Sequence, residues 1–342
     1  MSPKDIDFDT YYSKHCARYY GWLPASKKHR NQIERCPKYF TLCGAKAIDV
    51  FMLEYEKLLV RDTNKRLPNV FVCEEDEEAW VRIIDLVRPP VKEAVIFGKL
   101  QDILTFEDDE DTRGRSPDED EASFEIRKKL AIKGTFEQFK KHLPFDIINF
   151  DPWESLLNRD LEANKLYQAF KRIFELQKRI DRFLLFLTTE IADIHPSVQS
   201  RFEQDFAYNI SKYAKIREAL LSSVGTVNYS SIEENKRKAL SFVKSVMMSV
   251  ARSKGWICEH QGIYIYECEP GGTRMLSSVA RLSKAGTTSQ EDVYVKNIIR
   301  VIKQMPEYYS HTSANNNQKV KKHLKKIIEF RDKIRGEYHE EP

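Results

Sequence analysis

Glycine is scarce in this chain, 12 of 342 residues, about half the usual share of ~7%. No G-x-G-x-x-G run and no G-x-x-x-x-G-K-[ST] loop is present, which excludes the two familiar glycine-rich phosphate cradles. No G-x-S-x-G elbow occurs either, so a Ser/His/Asp hydrolase of that kind has no nucleophile loop. The six cysteines, at 16, 36, 43, 73, 258 and 268, form no C-x-x-C pair. In a chain this long they are not a disulfide framework. His15, Cys16, His29 and Cys36 are zinc-type ligands, but their spacing matches no familiar zinc pattern. No stretch approaches the roughly 18 consecutive apolar residues that would cross a bilayer. The opening Met1-Ser2-Pro3-Lys4-Asp5 lacks the basic and apolar regions of a signal peptide. A cytoplasmic protein with no membrane partner is expected.

What is present is charge and a repeating apolar pattern. Charged residues make up 32% of the chain and the net charge is +4, so the global balance says little about partners. Its distribution says more. Residues 107–121 are strongly acidic and 318–336 strongly basic. The basic block fits nucleic-acid phosphate. It also fits a solvated helix packed by Val320, Leu324, Ile327, Ile328 and Ile334.

Short apolar runs bounded by turn residues read as buried strands. Five occur before residue 190: 39–43, 69–73, 94–97, 145–150 and 183–188. Helical periodicity separates them, over 45–59, 77–86, 122–142 and 161–179. Alternation of this kind predicts βαβ units and a mostly parallel sheet. Residues 5–35 read as an aromatic helix broken near Pro24. Two strand-like runs, 255–267 and 274–282, flank Glu269-Pro270-Gly271-Gly272-Thr273 and predict a hairpin. The predicted class is therefore α/β: a Rossmann-like, mostly parallel sheet with a closing antiparallel hairpin, plus N-terminal, inserted and C-terminal helices. The corresponding division is a helical extension over 1–36, a core over 37–190, a helical insertion over 191–254, the hairpin over 255–283 and a basic helical extension over 284–342.

In an open parallel sheet, ligands bind beyond the carboxyl ends of the strands. Cys43 and Gly44 follow the first strand, where glycine allows close backbone approach. Glu74, Glu75 and Asp76 follow the second, suited to a ribose diol or to a helix N-cap. Asp102 follows the third, within reach of an adenine amino group. Asn149, Asp151, Pro152 and Trp153 follow the fourth, as Asn149-Phe150-Asp151-Pro152-Trp153. A polar–Pro–aromatic order there suits a planar amine, stacked on the aromatic while Asp151 and a backbone carbonyl accept its hydrogens.

This arrangement resembles the class I S-adenosylmethionine-dependent methyltransferases over 37–190 and 255–283. Asp151-Pro152-Trp153 resembles the (D/N)-P-P-(Y/F/W) element of nucleic-acid amino-methyltransferases. The longer run from Asn149 to Ser155 is similar to the D-x-D-P-(F/Y)-G-S element of tRNA guanine-N2 methyltransferases. The resemblance implies S-adenosylmethionine as cofactor and an exocyclic amine of RNA or DNA as substrate. It implies Cys43, Gly44, Glu74, Glu75, Asp76 and Asp102 around the cofactor, and Asn149, Asp151, Pro152 and Trp153 as catalytic and positioning residues. The chain departs from the family at Thr41-Leu42-Cys43-Gly44-Ala45-Lys46-Ala47, where one glycine stands in place of acidic-x-Gly-x-Gly-x-Gly, and at Glu154, where the tRNA enzymes have glycine. Those departures favour a second reading: a catalytically inactive methyltransferase-fold binding or scaffold protein with a protein partner, as in a bacterial defence assembly.

Overall fold

A computed structural model describes residues 11–89, 94–105, 132–152, 155–191, 193–284, 290–304 and 306–339. Eight strands form one sheet: β1 (Tyr39–Thr41), β2 (Val70–Glu74), β3 (Val95–Phe97), β4 (Ile147–Phe150), β5 (Arg182–Glu190), β6 (Trp256–Glu267), β7 (Arg274–Lys284) and β8 (Glu307–Tyr309). Their order is β3-β2-β1-β4-β5-β7-β6-β8. The first five strands pair in parallel. β7 then runs antiparallel between β5 and β6. The fold is α/β and Rossmann-like, with the antiparallel hairpin where the sequence predicts it.

Alternate strand residues enter two different cores, which is why the strands read as unbroken apolar runs. Tyr39, Val70, Val72, Ile147, Leu184 and Phe186 face one core. Phe40, Phe71, Ile148, Phe183 and Leu185 face the other. The first core is covered by α1 (Tyr12–Ala17), α2 (Leu23–Ile33), α3 (Ile48–Tyr55), α4 (Glu77–Val87) and, from the far end of the chain, α14 (Gln318–His339), which follows the short α13 (His311–Asn316). The second lies beneath α5 (Leu100–Leu104), α6 (132–142), α7 (Lys165–Leu176), α8 (Pro196–Lys212), α9 (Ala214–Val224), α10 (Glu234–Phe242), α11 (Ser249–Ser253) and α12 (Gln290–Lys303). Both faces of the sheet are therefore sealed. Residues 193–254 carry the inserted helices α8 to α11, which pack onto the second core. No helix among the described residues is long and apolar enough to cross a membrane.

Three sequence expectations change. Pro24 does not break the first helix. A π-helical turn, Arg18–Trp22, joins α1 to α2, and Leu23 N–H reaches Arg18 O. Pro24 then falls in α2, and the carbonyl its missing N–H leaves free, Tyr20 O, accepts instead from Tyr264 Oη at 3.2 Å. The π-turn also brings Gly21 against the sheet: a Cβ there would lie 2.4 Å from the Tyr264 ring, so only glycine allows this approach. Trp22 completes the anchor, stacked on Phe186 at 4.8 Å and donating from Nε1 to Ser277 Oγ at 3.0 Å. Second, the hairpin does not end the sheet. β8 continues it as a parallel neighbour of β6, within the stretch read as wholly helical; a three-residue run after Pro306 has no periodicity to detect. Third, α3 is shorter than predicted, because Cys43–Ala47 forms a turn before it, with Ala47 N–H donating to Gly44 O at 2.8 Å. The acidic run 107–121, and residues 122–131 of the helix predicted over 122–142, lie outside the described residues.

The hairpin reverses at the predicted glycines: Gly271 has φ +68° and Gly272 N–H donates to Glu269 O, a conformation L side chains rarely adopt.

Four histidines are held neutral in this fold. Burial pushes His29 down to about 4 and His260 to about 3. Burial also lowers His15, helped by the Arg18 charge, and His323. An exposed histidine in the unfolded chain titrates near ~6.5, so the unfolded state binds more protons as pH falls below that value. Stability is therefore full above ~6.5 and is lost on acidification towards 4. Burial raises Glu54 and Glu74 in the opposing sense, but the histidines outnumber them. The urea midpoint at pH 5 is expected to lie clearly below that at pH 7. An unchanged or higher midpoint at pH 5 would contradict the buried, neutral histidines.

Candidate functional site

The strand order reverses between β1 and β4, and a ligand crevice in an open α/β sheet lies at that switch point. Thr41 and Asn149 sit side by side there in the parallel register. At the switch point lies a polar cluster in an apolar setting. Asp49, in the first turn of α3, is 1% exposed. Its Oδ2 accepts from Tyr39 Oη at 2.5 Å, Thr41 Oγ1 at 2.6 Å and Asn149 Nδ2 at 3.1 Å. Asn149 Nδ2 also reaches Thr41 Oγ1 at 3.0 Å. Three donors and the positive end of α3 offset the cost of burying the carboxylate. Asp49 Oδ1 and Asn149 Oδ1 have no hydrogen-bond partner among the described residues. Asn149 is thus turned inward, bonded to Asp49 and Thr41. Its neighbours Tyr39, Thr41 and Asp49 were not among the sequence candidates. The available signal was a lone Asp inside the apolar run Ile48-Asp49-Val50-Phe51-Met52-Leu53.

The turn above this cluster carries Cys43, buried at 2% exposure, and Gly44. It ends at Ala47, whose φ of +47° is left-handed. That region costs an L-residue roughly 1–2 kcal/mol. The backbone at Ala47 thus has the shape that glycine serves in the resembled motif, although the side chain is alanine.

At the end of β2 the three acids have separate roles. Glu74 is largely buried, and its Oε1 accepts from the backbone N–H of Glu75 at 2.8 Å and Asp76 at 2.9 Å. Burial raises its carboxyl to about 6, against those two hydrogen bonds. Glu75 pairs with Lys99 at 3.3 Å in an exposed contact. Asp76 caps α4, accepting from Ala79 N at 2.9 Å, as its N-cap alternative predicts. After β3, Asp102 meets Lys165 at 3.4 Å on the surface.

Beyond β4, Asp151 is held by the N-terminal helix. Lys14 Nζ lies 2.8 Å from Asp151 Oδ2, with the carboxylate side chain only 6% exposed. Pro152 is partly exposed, and Trp153 lies outside the described residues. α1 is itself tied down across the molecule. His15 Nε2 lies 2.9 Å from His323 Nδ1 on α14, and His323 Nε2 lies 3.0 Å from Glu56 Oε1 beyond α3. Lys27 of α2 donates to the other oxygen of Glu56 at 2.6 Å. With Glu56 accepting, the neutral tautomers that satisfy this chain are His323 protonated on Nε2 and His15 protonated on Nε2.

Of the residues with zinc-type donors, His15 is thus engaged with His323, while Cys36 Sγ faces Leu58 O. No group of three or more His, Cys, Asp or Glu side chains positioned to hold a metal occurs among the described residues. A cleft of about 890 Å³ lies between α4, α14 and the turns around Lys46 and Arg66.

A family model described as PP_RS20740-like matches residues 130–331. The match covers more than half of the chain, which belongs to the PP_RS20740-like family. No curated protein and no solved structure matches it.

The polar cluster makes a direct prediction. Asp49→Ala leaves the Tyr39 and Thr41 hydroxyls without an acceptor, each costing about 1–3 kcal/mol, while Asn149 Nδ2 keeps Thr41 Oγ1. A loss of at least about 2 kcal/mol is expected in urea unfolding, with Asp49→Asn losing less. A loss below about 1 kcal/mol would mean that water reaches the cluster.

Proposed function

For this member of the PP_RS20740-like family we propose an S-adenosylmethionine-dependent methyltransferase acting on an exocyclic amine of nucleic acid. One observation carries the reading. The first five strands are parallel and β7 returns antiparallel beside β5 in the hairpin with β6, which supports the resemblance to that class, and the Asn149-Phe150-Asp151-Pro152 run lies at the carboxyl end of β4, at the switch point. Fold alone does not establish function, so the reading also needs residues that fit the cofactor.

At the ribose end they fit. Glu74, rather than Glu75 or Asp76, is the acid best disposed to meet a diol, since Asp76 caps α4 and Glu75 faces Lys99. The turn from Gly44 to the left-handed Ala47 would admit the ligand's backbone-facing edge. S-adenosylmethionine, when bound, supplies an electrophilic methyl group. The chain's own contribution would be positioning: Asp151 and a neighbouring backbone carbonyl accepting from the amine, with Pro152 and Trp153 beside its plane. Asp102 would turn from Lys165 towards the adenine amino group, a small cost for an exposed pair.

A second reading, a non-catalytic binding or scaffold subunit, is favoured by one contact. Lys14 occupies the Asp151 carboxylate, so a substrate amine has to displace an ion pair that α1 holds in place. An exposed, unpaired Asp151 would leave no such obstacle.

Calorimetric titration with S-adenosylmethionine tests the proposal. Binding is expected at pH 7.5, weakened at least about tenfold, ~1.4 kcal/mol, by Glu74→Gln. Because an ionised Glu74 accepts from the diol and its carboxyl titrates at about 6, wild-type affinity is expected to fall between pH 7 and 5.5 and that of Glu74→Gln to stay flat. Asp151→Asn is expected to leave cofactor affinity within about twofold. No binding at millimolar cofactor to the folded protein would overturn the proposal and favour the scaffold reading.

A further inference from the structure

The cleft of about 890 Å³ between α4 and α14 is lined by six cationic side chains and one carboxylate, Asp85. Lys46 comes from the turn after β1, Arg66 from the connection into β2, Arg82 and Arg88 from α4 and its carboxyl end, and Arg331 and Arg335 from one face of α14. Elements from both ends of the chain thus converge their charges on one concavity. We infer that this cleft binds the phosphate backbone of a nucleic-acid strand.

Three observations favour a polynucleotide over a small anion. Five of the six cations are guanidinium groups, whose planar forks match phosphate oxygens in pairs. Two of them have local, exchangeable partners: Arg82 meets Glu78 at 3.4 Å with both ends largely exposed, and Arg66 meets Asp62 with both ends partly exposed. Such surface pairs are weak and exchange readily for a better anion, while Arg331, 15% exposed, meets Asp332. Finally, six cations from four elements line a volume of about 890 Å³, more than a single phosphate group can meet, whereas an elongated polyanion engages them together. Lys319, Lys322, Lys325 and Lys326 are exposed on the side of α14 opposite Arg331 and Arg335 and lie outside this path. Lys46, two residues after Gly44, lines the cleft. The strand's path therefore runs beside the turn that borders the switch-point crevice.

This deepens the nucleic-acid half of the reading above, and its failure is separable, because neither Arg82 nor Arg335, the residues varied, is assigned to the cofactor. The test is fluorescence anisotropy of the full chain with fluorescein-labelled single-stranded RNA and DNA of about 20 nucleotides, titrated from about 50 to 200 mM salt. Binding is expected to weaken steeply with salt. The double variant Arg82→Glu/Arg335→Glu is expected to lose at least about tenfold in affinity and to show a shallower salt slope. Lys215→Glu/Arg217→Glu, the same charge change on α9 across the sheet, is expected to change affinity by less than about twofold. Should the cleft variant fail to fold, phenylglyoxal labelling of the wild-type protein gives an independent reading: Arg82, Arg331 and Arg335 are expected to be protected by the oligonucleotide and Arg217 not. Equal loss in both double variants, no binding at about 50 mM salt, an absence of protection, or displacement of the oligonucleotide by an equal concentration of pyrophosphate would each overturn the assignment.

Discussion

A single buried carboxylate fastens the point on which this molecule turns. Asp49 binds Tyr39 and Thr41 from β1 and Asn149 from β4 while sitting at the start of α3. Those three elements meet where the strand order reverses, so the interaction fixes the two strands and the helix that any ligand crevice there would use. A carboxylate with no solvent has to find donors or lose its charge, and the donors come from both sides of the switch point. The turn over it, with Ala47 in a left-handed conformation, inherits its path from that constraint.

From this centre the two ends of the chain matter more than their positions in sequence suggest. α1 and α14 lie on the same side of the sheet and are joined through His15 and His323. α1 then places Lys14 on Asp151, while α14 brings Arg331 and Arg335 to the cleft. One layer of helices thus presents two different surfaces. At the switch point it presents a closed, ion-paired carboxylate. At the cleft it presents a concavity lined by guanidinium groups, of which Arg66 and Arg82 are held by exposed pairs. The first asks for a ligand able to displace Lys14; the second asks for an anion able to replace local carboxylates.

Much of the sheet was legible because burial on both faces writes a continuous apolar run. Tyr39 to Thr41 and Phe183 to Leu187 could be read without any partner being known. The hairpin was legible from Gly271 and Gly272, where the backbone requires them. What escaped was of two kinds. Short elements carry too little pattern: the three residues of β8, and a π-turn that makes Pro24 harmless. Contacts between distant residues carry none at all. Lys14 and Asp151 are 137 positions apart and His15 and His323 are 308 apart, and no periodicity relates them. The site was legible as a set of strand ends, yet the role of each acid depended on its local donors. Glu74, Glu75 and Asp76 are neighbours in sequence but have a half-buried carboxyl, a surface ion pair and a helix cap respectively.

The most direct test of the central claim, that the β1–β4 switch point is a ligand site, is hydrogen–deuterium exchange with and without S-adenosylmethionine. The account predicts slowed exchange in the turn 42–48, at 74–79 and at 149–152, with the cleft segments 82–88 and 331–335 unchanged. Protection confined to the cleft segments, or no protection anywhere at saturating cofactor, would contradict it.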